Sequence, residues 1–490
     1  MHSAEDIGGI KVEYEVVIGL EIHAELSTDT KIYCSCQNVF GKEVNTKCCP
    51  VCTGMPGTLP RLNKKVVEYA VKMGKALGCK INNLSKQDRK NYFYPDLPKS
   101  YQISQFDIPL CENGSVLVPM EDGVRKIGIT RIHIEEDAGK LVHNDMFEGS
   151  LVDMNRCGVP LIEIVSEPDM RSSAEAKAYL ETIKQILSYL DISDCKMEEG
   201  SIRCDINVSV MEKGSTKFGT RCEMKNVNSF LGAVHAIDYE AARQIKILEE
   251  GGVITQETRR WDDAKGMSFL LRSKEDAQDY RYFPEPDLKT IVVEKEVEES
   301  IERSIGELPN LKHIRYNEEL GLPFSDAGLL SESVTKSEFF EKCLELKPEG
   351  AKAISNWMLS EISKKINETG KDIWEIGVEP EFLIDLIGSV EAKTISTTAA
   401  KEVLEAHYEN GKSVKEIIDE KGLGQISNED ELIKVADEVL SGNLKLIEDY
   451  KNGKTNLLGF FVGQCMRLSK GKGNPAMLKD IVSKLIEEKY

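Results

Sequence analysis

Four stretches of the chain alternate apolar with polar side chains, and a period of two commits them to strands with one buried face and one chemically loaded face. In residues 16–26, Glu21, His23 and Glu25 share one side while Leu20, Ile22, Ala24 and Leu26 share the other. In residues 127–137, Arg131, His133, Glu135 and Asp137 oppose Ile132 and Ile134. Arg203, Asp205, Asn207 and Ser209 oppose Cys204, Ile206, Val208 and Val210, and Arg221, Glu223 and Lys225 oppose Cys222 and Met224. Any one such strand is explained by the solvated face of an antiparallel sheet. Four together, rich in carboxylates, imidazoles, Asn and Arg, make the mixture suited to Mg²⁺ and phosphate held in one cleft.

The alternation and its Gly and Pro turns fill the first part of the chain, with helices expected over 64–77 and, behind a Ser cap, over 173–190. After Asp287 the composition shifts to Glu, Lys, Leu and Ile at periods near 3.6. The expected fold is therefore α+β: a sheet-rich domain over 1–292, a helical domain over 293–410 and a small helical tail over 411–490, with Asn410-Gly411 breaking the helical pattern. No apolar run approaches the roughly 18 residues of a membrane span. The start, MHSAEDIGG, has neither a secretory core nor transit-peptide character, so the expected location is the cytoplasm.

Thirteen cysteines in such a chain argue for reduced thiols rather than a disulfide framework. Cys34-x-Cys36 and Cys49-x-x-Cys52 are paired as in a tetrahedral structural zinc site, with Cys48 able to stand in for Cys49. Buried free cysteines are the weaker alternative, because clusters this dense are uncommon without a metal. A catalytic zinc fits less well, because four Cys leave no open position.

A net charge of −20 excludes global attraction to a polyanion, so any nucleic-acid contact must be local. Such a patch exists between residues 451 and 479, where Lys451, Lys454, Arg467, Lys470, Lys472 and Lys479 stand without any Asp or Glu. Leu457, Leu458, Phe461, Val462, Cys465 and Leu468 form a helical core face there, which turns the basic residues outward toward RNA. Two aromatic-Pro segments, 89–99 and 279–287, suit either stacking on a base or simple loop anchoring. Neither a G-x-x-x-x-G-K-[ST] loop nor a G-x-S-x-G elbow is present, and no amidase nucleophile can be read, so any ammonia must come from a partner.

The stretches VIGLEIHAEL (17–26), CPVCTGMPGTLPRLN (49–63), RKNYFYPDLPKSYQISQ (89–105), IHIEEDAGK (132–140), NRCGVPLIEIVSEPD (155–169), MEEGSIRCDINVSV (197–210), GTRCEMKNVNSF (219–230) and DYRYFPEPDL (279–288) together resemble the GatB family. These are the B-type subunits of amidotransferases that convert Asp-tRNA(Asn) and Glu-tRNA(Gln) to their amide forms. The resemblance implies ATP-dependent phosphorylation of the side-chain carboxylate, then amidation by ammonia from an A-type amidase (glutaminase) subunit, with a small C-type subunit completing a heterotrimer. It also implies a cradle domain for the chemistry and a tail that contacts misacylated tRNA through Lys451, Lys454, Arg467, Lys470 and Lys472. By motif position it places catalysis on Glu21, His23, Glu135, Glu198, Asp205 and Asn207, with Mg²⁺ on Glu21, His23 and Glu135. Arg203, Glu223 and Lys225 are assigned to ATP, and zinc to Cys34, Cys36, Cys49 and Cys52. Glu25 stands where many members have Gln, and Cys48 is an added thiol. Two alternatives stay open: a non-catalytic tRNA-binding or assembly subunit, and the archaeal Glu-specific paralogue, whose large inserted domain a chain of 490 residues has little room for.

Overall fold

The computed structural model describes residues 12–143, 149–273, 280–424, 429–469 and 472–490. The chain divides into two compact units, Met1–Arg315 and Tyr316–Tyr490.

The first unit is built on one sheet of nine strands: β1 (Tyr14–Glu25), β2 (Lys80–Ile81), β3 (Cys111–Met120), β4 (Gly123–Glu136), β5 (Pro160–Ser166), β6 (Ile202–Glu212), β7 (Cys222–Val227), β8 (Glu257–Asp262) and β9 (Met267–Ser273). Their order across the sheet is β9-β8-β7-β6-β1-β5-β4-β3-β2, antiparallel throughout except for the parallel pair β7 and β8. The first strand therefore lies at the centre.

Three helices cover one face: α1 (Lys64–Ala76), α2 (Ser173–Tyr189) and α3 (Phe230–Glu249). Each begins where the sequence supplies an oxygen for an otherwise unpaired N–H: Asn63 accepts from Lys65, Ser172 from Glu175 and Ser229 from Gly232. α1 lies on β3 and β4, α2 on β3, and α3 on β6, β7 and β9. Under them the apolar half of the alternation is buried: Leu20, Ile22, Ala24, Ile132, Ile134, Ile162, Ile164, Ile206 and Val208 share a core with Ala70, Ile183 and Ile237. At about 1.5–3 kcal/mol for each large aliphatic side chain removed from water, this layer fixes the register. A slip of one residue would bury Glu21, His23 and Asp205 and expose Leu20, Ile22 and Ile206.

On the opposite face the polar half falls into rows. Glu21 lies across from Asp205, His23 from both Glu163 and Arg203, Glu163 from His133, and Asn207 from Glu223. A second, three-stranded sheet joins Phe283–Pro284, Asp88–Asn91 and Tyr101–Ser104, in that order. It pairs the two aromatic-Pro segments. Arg89 forks onto Glu285 at 2.6 and 2.8 Å, and the Asn91 N–H donates to the Tyr280 carbonyl at 2.9 Å.

From Leu26 to Asn63 the chain has no helix and no strand beyond an isolated bridge between Thr30 and Gln37. A segment that long without regular structure needs another source of order.

The second unit is helical and holds two apolar cores. One gathers residues from Tyr316 to Ile418, the other from Leu432 to Ile486. The helix Thr397–Asn410 ends on Gly411, whose φ of 66° and N–H to the His407 carbonyl make a left-handed cap. The α+β expectation is met: a sheet-rich N-terminal part and a helical C-terminal part. Among the described residues no helix is long and apolar enough to cross a membrane.

Candidate active site

Two groups of acidic side chains stand side by side on the polar face. In the first, Glu21, Asp205 and Glu223 each bring a carboxylate oxygen to within 4.8 Å of the others. Asn207 Nδ2 donates to Glu21 Oε1 at 3.0 Å, Lys225 Nζ donates to Asp205 at 2.6 Å and to Glu223 at 2.9 Å, and the Thr258 hydroxyl donates to Glu223 at 2.7 Å. Burial, reinforced by Glu163, Asp205 and Glu223, pushes the Glu21 carboxyl up against the opposing pull of Asn207. A second positive charge would relieve that crowding.

The second group is His23, Glu135 and Glu163. His23 Nε2 lies 3.4 Å from an oxygen of each carboxylate, and His133 Nε2 lies 3.4 Å from Glu163 and 3.7 Å from Glu135. Burial works against a charged His23, but hydrogen bonds to Glu135 and Glu163 outweigh it and raise the imidazole to about 10. Burial likewise opposes ionisation of Glu163, yet the His133 and His23 rings hold it down at about 2. His133, almost fully buried, keeps Nδ1 without a hydrogen-bond partner.

Both groups open into a cavity of about 320 Å³. Its far wall comes from the three-stranded sheet and the adjoining loops: Lys90, Ser104, Phe106, Tyr280 and Tyr282. Ser104 Oγ donates to Glu135 at 3.3 Å. Burial opposes a charge on Lys90, but the negative charges of Glu135 and Glu163 outweigh it and keep the ammonium firmly protonated.

Of the residues expected from sequence, Glu21, His23, Glu135, Asp205, Asn207, Glu223 and Lys225 all belong to these two groups or bond directly to them. The Mg²⁺ set Glu21, His23 and Glu135 does not form one ligand group: His23 and Glu135 close with Glu163, and Glu21 closes with Asp205 and Glu223. Arg203 turns instead to Asp137 at 3.0 Å, which also takes Arg156 at 3.0 Å. Glu198 is exposed on the turn before β6 and joins neither group. Glu163 escaped the alternation argument because β5 reads Pro-Leu-Ile-Glu-Ile-Val-Ser, with apolar Leu161 and Val165 beside Glu163 in the same register. The signal was the lone carboxylate itself, since a charge inside an apolar strand needs buried partners. Lys90 and Thr258 were also missed; nothing in a single sequence aims them here.

The four sulfurs of Cys34, Cys36, Cys49 and Cys52 lie within 4.8 Å of one another, with Cys49 and Cys52 3.9 Å apart. Tetrahedral bonds of about 2.3 Å to a zinc ion require sulfurs roughly 3.8 Å apart, so the residues fit. Cys48 points away, its thiol donating to the Asn45 carbonyl at 3.3 Å, and Cys49 is the ligand-positioned member of the pair. A hydrogen bond from Cys34 holds the Cys52 thiol down at about 5, helped by the buried Lys31 ammonium, which donates to Cys52 Sγ at 3.8 Å.

In the tail, the helix Leu457–Leu468 buries Phe461 and Cys465, while Leu468 is 45% exposed and leaves the expected core face one residue short. Lys451, Lys454 and Arg467 are exposed and Lys472 is half-buried. Lys454 pairs with Asp449 at 3.3 Å, an acid just outside the stretch of basic residues. Lys470 lies outside the described residues.

Residues 16–299 match the GatB/GatE catalytic domain and residues 338–486 match the GatB domain. The first match covers more than half of the chain and contains every residue of both acidic groups and the four thiols. The chain belongs to the GatB family. It is 55% identical over 480 residues to the B subunit of the aspartyl/glutamyl-tRNA(Asn/Gln) amidotransferase of Caldicellulosiruptor bescii, covering 97% of this chain and 100% of that one. It is 56% identical to the protein of the same name from Thermoanaerobacter pseudethanolicus, covering 96% and 99%. With the B 1 subunit of the Clostridium acetobutylicum enzyme the identity is 52%, over 96% and 98%. GatB relatives thus match nearly the whole of this chain, and its acidic face lies within the part that matches the GatB/GatE catalytic domain.

Proposed function

We propose that this chain catalyses ATP-dependent amidation of the side-chain carboxylate of Asp or Glu esterified to tRNA, in the cytoplasm, with ammonia supplied by an A-type glutaminase subunit in a heterotrimer completed by a small C-type subunit. The observation that carries the proposal is the pair of acidic groups facing Lys90 across one cavity. A carboxylate is a poor acyl donor, because its leaving group would be oxide. In the proposed first step a carboxylate oxygen of the aminoacyl group attacks the γ-phosphorus of ATP, the bond to the β-phosphate oxygen breaks, and ADP departs. Ammonia then attacks the acyl carbon of the mixed anhydride and phosphate leaves.

The residues suit these demands. Lys90 and Lys225 hold positive charge where phosphate oxygens must be neutralised, and Arg272 lines the same cavity. Glu21, Asp205 and Glu223, with the Asn207 carboxamide fixed on Glu21, would hold a hard cation through oxygen alone, as Mg²⁺ prefers. His23, Glu135 and Glu163 offer a second group, in which a cation would compete with the imidazole proton. When bound, Mg²⁺ supplies charge stabilisation to the transferring phosphoryl group. Zinc on the four cysteines would be structural, ordering the irregular segment from Leu26 to Asn63.

ADP release by the purified complex is expected to depend on Asp-tRNA or Glu-tRNA and to fall to background with uncharged tRNA. Equal ADP release with charged and uncharged tRNA would overturn the proposal and favour a protein that only binds or assembles.

The exposed Lys451, Lys454 and Arg467, with Lys472, are proposed to contact tRNA phosphates. Replacing Lys451 and Arg467 by Gln should flatten the slope of log affinity against log salt by about 0.7 to 0.9 for each phosphate no longer neutralised. An unchanged slope in the folded variant would assign both side chains to plain surface.

A further inference from the structure

The aromatic rings of the cavity wall have no part in phosphate or metal chemistry, yet they are arranged in a definite order. Phe106 and Tyr282 stack face to face, their ring centroids 4.3 Å apart and their planes 8° from parallel. Tyr280 meets Tyr282 edge-on at 6.0 Å, and Lys90 Nζ lies 5.0 Å over the Tyr280 ring. One face of Phe106 is thus covered by Tyr282, but the residue remains 59% exposed while lining the cavity that holds the acidic groups.

The strap that carries two of these rings is strained. Arg281, between Tyr280 and Tyr282, has φ +44°, a conformation unfavourable to any residue with a Cβ. Asn91 holds it there from the neighbouring strand: its backbone N–H donates to the Tyr280 carbonyl at 2.9 Å and its carboxamide donates to the Arg281 carbonyl at 2.9 Å. Loop anchoring alone calls for buried rings on a relaxed backbone. A strained strap that leaves an aromatic face open beside a charged cleft is the arrangement of a stacking platform.

Building on the function proposed above, we infer that Phe106, backed by Tyr282, stacks against an adenine base that enters this cavity. Both substrates of that reaction carry one, ATP at its ribose and tRNA at its 3′ end. The base is the part of either substrate with an apolar face, and of the three Phe and Tyr rings lining the cavity Phe106 is the most open: Tyr280 and Tyr282 are half-buried, one under Lys90 and the other against Phe106. Lys90 feels the charges of Glu135 and Glu163 and also caps the Tyr280 ring, so it links the platform to the acidic groups. Lys90 lines the same cavity as Phe106, which places a positive charge within the space that the sugar and phosphates of a seated base would share.

The test pairs each ring with each base. Binding of ATP is compared with binding of ribose 5-triphosphate, and binding of tRNA is compared with tRNA lacking only its 3′-terminal base, using the purified complex with Phe106, Phe106→Ala and Phe106→Trp. The expected result is a loss of about tenfold for Phe106→Ala with ATP or with intact tRNA, whichever base is seated there. That loss should disappear with the matching base-free probe and be recovered by Phe106→Trp. Equal losses with and without the base would mean that Phe106 only supports the fold. No loss in either arm would also overturn the inference. Failure of the unaltered complex to bind ATP at all would count against the proposed phosphorylation, and the tRNA arm would still report on the platform.

Discussion

Asp205→Asn is expected to lower tRNA-dependent ATP turnover by about three orders of magnitude, equivalent to roughly 4 kcal/mol of transition-state stabilisation. The substitution preserves shape but removes one of three carboxylates from the oxygen group with Glu21 and Glu223. It also leaves Lys225, which now divides its charge between Asp205 and Glu223, to neutralise the remaining acids. Both changes weaken the site for a divalent cation. Asp205 is half-buried at the cavity rather than in the core, so the melting temperature should move little. Glutamine hydrolysis by the assembled complex should continue. Near-normal phosphorylation in a single-turnover measurement with Asp205→Asn would remove the residue from the reaction.

The second large effect concerns the cysteines. The purified, reduced chain is expected to contain one zinc per molecule, and Cys36→Ala combined with Cys52→Ala should reduce that to background. Protease cleavage between residues 35 and 60 should then accelerate at least tenfold, because a stretch without helices or strands loses the centre that its four thiols converge on. Lys31 adds to the cost: its buried ammonium has the Cys52 sulfur as partner, and removing that sulfur strands a charge in the interior. Zinc-free wild-type protein with the same resistance to protease would show that the thiols are ordinary buried cysteines.

The polar face was legible because strand periodicity is geometry: once Leu20, Ile22 and Ile206 go to the core, Glu21, His23 and Asp205 have only one side left. Which strands lie beside which is a different matter. That His23 sits between Glu163 and Arg203 depends on an order in which β1 separates β5 from β6, and alternation carries no such information. The division of the acids into two groups follows from that order and was accordingly out of reach. The thiol pairs could be read because their spacing is local, although the choice of Cys49 over Cys48 depended on the direction of one turn. Glu198 shows the opposite limit. Its place in a matching motif suggested chemistry, and the chain sets it on an exposed turn.

The central position of β1 has a consequence for synthesis. The strand finishes at Glu25, but its hydrogen-bonding neighbours begin only at Pro160 and Ile202. At about 5–20 residues per second, a ribosome needs on the order of ten seconds to produce either one. Throughout that interval a strand with one apolar face and two bare edges has left the exit tunnel without a lasting partner. The nascent chain is therefore exposed to mispairing at β1, and a chaperone that shields residues 14–25 until β6 has emerged would protect the strand of this sheet that waits longest for its neighbours.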